Sequence, residues 1–134
     1  MDSILVKVPV TVKAKLTEKL RDRIQGELEE NLKNVNLDLQ QLDIQEKRDT
    51  EAQAGDLRRV QMVHEQYAVE RQKRLDFKQE TEAHLEDLKK LAIGAEITQG
   101  QLERQVELKV GSDMHEVMNV EVLVEDDKVI AIRG

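Results

Sequence analysis

Three histidines and two serines carry most of the side-chain chemistry that this chain could offer. His64, His84 and His115 could act as metal ligands or bases, but a metal site needs partners at fixed spacing. No two of them lie four apart, so a zincin-type helix is absent. Residue i−3 is Gln61 for His64 and Thr81 for His84, which removes the Glu-x-x-His pattern of di-iron bundles. All three are read as surface or seam histidines. Ser3 and Ser112 each sit at a strand end, and neither lies in a Gly-x-Ser-x-Gly elbow. Gly94 and Gly100 flank Ala95-Glu96-Ile97-Thr98-Gln99 with no Gly-Lys-Ser/Thr behind them, so they read as turn residues rather than a phosphate loop. The chain has no cysteine, which excludes disulfides and thiolate metal sites. No carboxylate is raised above the many others as an acid or base. The expectation is a protein that is not an enzyme, with no catalytic, cofactor-binding or metal-binding residue and no small-molecule substrate.

Two groups of bases remain. Lys47, Arg48, Arg58 and Arg59 could meet at one end of a helical arm and touch RNA or a ribosome. Glu46, Asp49, Glu51 and Asp56 lie among them, however, and neutral surfaces are weak phosphate clamps. Arg71, Lys73, Arg74 and Lys78 form the one locally cationic run, interleaved with Glu70, Asp76 and Glu80. Only Phe77 stands beside them, whereas single-strand stacking platforms want more aromatics. Leu37 and Ile44, seven apart and off the main apolar stripe, hint at a second seam that would pack the helices or support a homodimer.

The elements that must position these residues follow from composition and period. Charged residues make up 37% of the chain and aromatics 1%, so the apolar content is Leu, Val and Ile spread along stripes. Residues 3–13 alternate, with Ile4, Val6, Val8, Val10 and Val12 on one face of a strand. Pro9 cannot donate to a ladder and marks an edge strand or a bulge. From Leu16 the period becomes helical: Leu16, Leu20, Ile24, Leu28, Leu32, Val35, Leu39 and Leu42 recur every three or four residues. Gly55 and Asp56 read as the stop of this helix and the N-cap of the next. Positions 57, 60, 64, 67, 71, 74, 78, 81, 85, 88 and 92 then repeat at three and four. Their middle is polar (His64, Tyr67, Arg71, Arg74, Lys78, Thr81), and a slight drift would bring Leu75 inward. After Gly94, Val106–Val110 and 118–124 alternate again, and Asp126-Asp127 turn into Lys128–Arg133 as a hairpin.

A single rod over 16–92 would run roughly 115 Å and strand the N-terminal strand far from any partner in its own chain. Lone strands are unstable, so a hairpin is favoured, a swapped dimer with continuous helices being the alternative. The expected fold is α+β. A small four-stranded antiparallel β-domain is formed by residues 1–14 and 93–134, and a long antiparallel two-helix coiled-coil hairpin, residues 15–92, is inserted with its turn near 52–56.

The net charge of −7 argues against indiscriminate polyanion binding. The N-terminal stretch lacks the continuous apolar core of a signal peptide, and no window approaches ~18 apolar residues. No membrane association is expected, and a cytoplasmic location is the default.

The order of parts, with Leu91-Ala92-Ile93-Gly94-Ala95-Glu96-Ile97-Thr98-Gln99-Gly100 and the segment Val106-Glu107-Leu108-Lys109-Val110-Gly111, resembles the YlqD family of bacterial proteins. The specific part of the resemblance is short, because a charged helical middle identifies nothing by itself. It implies no activity, cofactor or catalytic residue. Some members are encoded beside ribosome-maturation factors, which is an association and not a mechanism. The expected role is therefore an interaction protein whose coiled-coil arm binds a protein partner or a second copy. Association with RNA or the ribosome is the alternative. Leu37, Ile44, Lys47, Arg48, Arg58 and Arg59 are the candidate interaction residues.

Overall fold

The computed structural model describes residues 1–134. Along the chain run β1 (Ser3–Lys15), α1 (Glu18–Ala52), α2 (Leu57–Lys90), β2 (Glu96–Lys109), α3 (Met114–Met118), β3 (Glu121–Glu125) and β4 (Lys128–Arg133). The chain divides into two compact units, Met1–Asp22 with Leu91–Gly134, and Arg23–Lys90.

In the first unit a four-stranded sheet takes the order β2-β1-β3-β4. β1 and β2 pair antiparallel from Ser3↔Lys109 to Lys15↔Glu96. The alternation of β1 decides which face is covered: Val8, Val10 and Ala14 are buried, while Lys7 and Pro9, on either side of Val8, are exposed. β3 and β4 form the antiparallel hairpin read from Asp126-Asp127, whose φ values of 45° and 67° are those of a tight hairpin turn.

The sheet is mixed, which corrects the expected antiparallel arrangement. β1 and β3 run parallel over Thr11–Ala14 and Glu121–Val124. The reason is that β1 lies between β2 and β3. The chain leaving β2 therefore crosses over β1 before it enters the sheet again, instead of turning back beside β2. That crossing contains α3; residues 118–120 were expected to be strand, but Met118 ends this helix and Asn119-Val120 lead from it into β3. Asp113 caps α3, its side chain accepting from the N–H of His115 at 2.8 Å and of Glu116 at 3.4 Å. The pattern Asp113-x-x-Glu116 is a capping-box spacing, a signal of this helix that the sequence reading passed over.

Gly94 and Gly111 do turn the chain, with φ of 94° and 97°. Gly100 does not: it sits inside β2 opposite Val12, next to the register shift between Val12 and Lys13. A strand glycine beside a bulge is the usual alternative to a turn.

Both chain ends are joined through Leu16, which is fully buried. Its N–H donates to the Ala95 carbonyl at 2.7 Å, and its own carbonyl accepts from the Gly94 N–H at 2.7 Å. Thr17 then starts α1. Its hydroxyl oxygen accepts from the Leu20 N–H at 3.1 Å and donates to Asp126 at 2.8 Å.

The second unit is a hairpin of α1 and α2. Gly55, at φ 106°, ends the turn after α1, and the Asp56 carboxylate accepts from the Arg59 N–H at 3.3 Å as an N-cap. Along α1 the residues turned inward are Ile24, Leu28, Leu32, Val35, Leu39, Leu42, Glu46 and Thr50, the expected stripe carried two turns further. On α2 they are Val60, Val63, Tyr67, Arg71, Arg74, Leu75, Lys78, Thr81, Leu85 and Leu88. The strict repeat fails at three places. Val63 takes the place of His64, Leu57 is 86% exposed at the first turn, and Ala92 lies beyond the helix end.

Candidate functional site

The hairpin is held differently along its length. Near its base α2 buries Thr81, Leu85 and Leu88. Thr81 satisfies its hydroxyl by donating to the Phe77 carbonyl at 2.8 Å, so a polar residue sits in the seam at little cost. Toward the turn no α2 residue is fully buried, and the contacts become polar. Arg71 donates to Glu46 at 2.5 Å and to Asp43 at 3.0 Å, His64 Nδ1 lies 3.0 Å from Glu46, and the Tyr67 hydroxyl donates to Asp49. Hydrogen bonds from His64 and then Arg71 hold the Glu46 carboxyl below its ordinary range. The bond to Asp49 pushes the Tyr67 hydroxyl up, because it stabilises the protonated phenol.

These contacts redraw the charge balance read from the sequence. Of the four acids that offset Lys47, Arg48, Arg58 and Arg59, Glu46 and Asp49 turn to partners on α2. Asp56 caps α2 and pairs with Arg59 at 3.4 Å. Lys47, Arg48 and Arg58 are exposed and enter no ion pair, with Glu51 the remaining exposed acid among them. The structure does not gather all six candidate residues. Leu37, Ile44, Lys47 and Arg48 share one face of α1 at helical spacing. Arg58 and Arg59 belong to the first turn of α2.

That α1 face points away from α2. Leu37 and Ile44 each follow an inward residue, Val35 and Leu42, by two positions, about 200° around the helix. Their exposures of 47% and 54% agree with an outward face rather than a second packing seam. Met62 and Val69 on α2, at 53% and 58%, stand in the same relation to Val60 and Tyr67. Sequence reading missed this second outward pair, although its seven-residue spacing repeats that of Leu37 and Ile44.

The sheet carries one further polar group. Lys13 of β1 meets Glu121 of β3 at 3.0 Å, Glu121 meets Arg133 of β4 at 2.8 Å, and Arg133 meets Glu96 of β2 at 2.5 Å. One residue from each strand thus ties the sheet together. Hydrogen bonds from Lys13 and from Arg133 hold Glu121 and Glu96, respectively, below the usual carboxylate range. No three His, Asp or Glu side chains gather as a metal site, and no helix is long and apolar enough to cross a membrane.

The whole chain superposes on a crystallised protein of unknown function from Synechococcus sp. WH 8102. The TM-score is 0.89, identity is 24%, and 100% of each chain is covered. That likeness establishes the fold. No curated protein matches the chain. The family described as YlqD protein matches residues 4–133, which covers both ends of the sheet and the hairpin between them: the chain belongs to the YlqD family.

Proposed function

We propose that this is a non-enzymatic interaction protein whose helical hairpin engages a protein partner. The observation that carries the reading is the pair of half-exposed apolar residues on the outward face of each helix. Inward residues already hold the two helices together, and Leu37, Ile44, Met62 and Val69 are left about half exposed on the opposite faces. An apolar residue at helical spacing on an outward face is what a partner helix takes up. Pull-downs compare the full chain with one whose hairpin is shortened around residues 46–60 and with one carrying L37A/I44A/M62A/V69A. The reading requires partners that are lost with at least one of the two variants; equal profiles for the shortened chain alone count against a role of the tip, and identical profiles for all three would remove the reading.

Association with RNA or a ribosome is the second reading. It is favoured by one observation, the freeing of Lys47, Arg48 and Arg58 once Glu46, Asp49 and Asp56 take intramolecular partners. Against it, Tyr67 is already bonded to Asp49 and no other aromatic lies near the turn to stack a base. Electrostatic binding is strongest at low salt, so ribosome sedimentation that lacks the protein even there excludes this reading.

A further inference from the structure

The outward face of α1 has a definite charge pattern. Lys33, Leu37, Gln40, Ile44, Lys47 and Arg48 follow one another at three- and four-residue steps, so they form one stripe. Two apolar residues seven apart are bracketed by a base four positions before the first and four after the second. Between Lys33 and Arg48 the stripe holds no acid, and Glu30 and Glu51 continue the same face one turn beyond either end. Its neighbour Asp43 lies on the flank and is held by Arg71 at 3.0 Å. None of Lys33, Lys47 and Arg48 has an acidic partner within its own chain.

The outward face of α2 repeats the spacing in Arg58, Met62, Val69 and Lys73. It differs in charge, because Glu65 stands between the two apolar residues and Lys73 is paired with Glu70 at 3.2 Å. The α2 face is therefore a partial control: the same apolar geometry with one unpaired base, Arg58, and an acid between its apolar residues.

This pattern selects among occupants. Laid antiparallel on itself with Leu37 against Ile44, the α1 face sets Lys33 against Arg48 at both ends. A parallel arrangement sets each base against its own copy, and pairing α1 with α2 of another molecule sets base against base again. Like charges at the ends of a small apolar contact oppose it. Between Lys33 and Arg48 a second copy meets only like charge, and an RNA strand finds no aromatic on this face. We infer that the outward face of α1 between Lys33 and Arg48 docks an acidic amphipathic helix of a different protein, with two apolar residues seven apart bracketed by Glu or Asp. The inference rests on the interaction reading above and names the partner's chemistry for it.

The test uses the full chain and a synthetic helix of about twenty residues, long enough to hold its conformation. It carries two leucines seven apart, with glutamates four before the first and four after the second. A second peptide has lysines at those two places, and a single-stranded RNA oligonucleotide serves as a third probe. The acidic peptide is expected to bind at about micromolar Kd. It should lose about tenfold with L37A/I44A and be unchanged with M62A/V69A. The charge-reversed variant K33E/K47E/R48E should prefer the lysine peptide. All substituted positions are on exposed helix faces, and unchanged circular dichroism confirms folding. Equal binding of both peptides, indifference to L37A/I44A, or retention of RNA alone would overturn the inference. So would a dimer by light scattering that dissociates in L37A/I44A. The two readings fail separately. If shortening the hairpin abolishes a cellular partner while K33E/K47E/R48E keeps it, the hairpin binds a protein but not through this face. If neither shortening nor L37A/I44A/M62A/V69A changes any partner, the interaction reading itself fails.

Discussion

Arg71 of α2 reaches across the hairpin to Glu46 of α1 at 2.5 Å, with side-chain exposures of 28% and 18%. This pair stands where a leucine would stand in an apolar seam. A partly buried carboxylate without its cation retains most of the desolvation penalty and none of the compensation. The distal half of the hairpin therefore depends on keeping both members.

Removing one member tests this directly. Arg71→Ala leaves Glu46 with only His64 and is expected to destabilise the hairpin by roughly 1–2 kcal/mol, the lower end reflecting the partial exposure of the pair. The effect is local. Amide exchange should quicken around 43–49 and 64–71, while the amides around Leu85 and Leu88 stay protected. A double change, Glu46→Leu with Arg71→Leu, should restore protection, because it replaces the pair by the apolar contact used nearer the base.

Acid acts on the same pair and on the sheet. Glu46, Glu96 and Glu121 are all held below the ordinary glutamate value by bonds to His64, Arg71, Arg133 and Lys13. A carboxyl whose folded pKa is depressed binds fewer protons folded than unfolded. Its contribution is complete above the unfolded value of about 4.3 and is lost as pH falls through the folded value. Thermal midpoints should accordingly be flat from pH 7 to about 5 and fall below that. In Glu46→Gln the acid-induced loss in the hairpin should shrink, while that of the sheet remains. An unchanged midpoint down to about pH 3 would contradict the assignment.

The inward and outward faces of the helices predict opposite sensitivities. Leu85 is 9% exposed and Ile44 is 54% exposed. Leu85→Ala opens a cavity in the seam and should cost about 2–4 kcal/mol in chemical denaturation. Ile44→Ala removes a side chain that touches mostly water and exchanges it for a better helix former. Its cost should stay within about 0.5 kcal/mol. A large loss in Ile44→Ala would mean that the residue packs within the chain, and the docking face would lose its freest apolar member.

How far these features were legible depends on what each residue needed from elsewhere. The α1 stripe from Leu20 to Leu42 was readable because every member is apolar and the period alone fixes the face, whereas Leu16, read as its first member, precedes the helix and joins the two chain ends instead. The α2 seam was readable as a repeat but not in register. His64, Tyr67 and Arg71 gain their place from Glu46 and Asp49, eighteen or more residues away, and periodicity says nothing about such partners. The turn of Asp126-Asp127 was local and was found. The parallel pairing of Val12 with Val122 was not, since it depends on β1 coming between β2 and β3, and no neighbouring residue records that order. For the candidate residues, types and spacing picked out Leu37, Ile44, Lys47 and Arg48. The charge of their surroundings could be judged only once Glu46 and Asp49 were seen to turn inward.

The last expectation concerns Pro9. β3 covers β1 only over Thr11–Ala14, so residues 3–10 have a free edge on that side. The Thr11 N–H donates to the Val120 carbonyl at 3.3 Å, which shows that odd-numbered residues of β1 point their N–H toward that edge. Pro9, two residues earlier, occupies the first odd position beyond the end of β3 and has no N–H. On the other side Pro9↔Glu103 is by the same alternation a non-hydrogen-bonded pair, so the proline removes no bond from the ladder with β2. Pro9 is therefore placed where it blunts an open edge without weakening the sheet. Pro9→Val restores a donor there and adds a β-branched residue beside the exposed Leu5 and Lys7. Stability should change by less than about 1 kcal/mol, but light scattering should show mass that rises with concentration, as neighbouring chains pair along residues 3–9. Pro9→Val with Leu5→Lys should return the chain to its original mass, since a charge on that edge opposes pairing as the proline did. If Pro9→Val leaves the mass independent of concentration, the edge is closed by something other than the missing N–H.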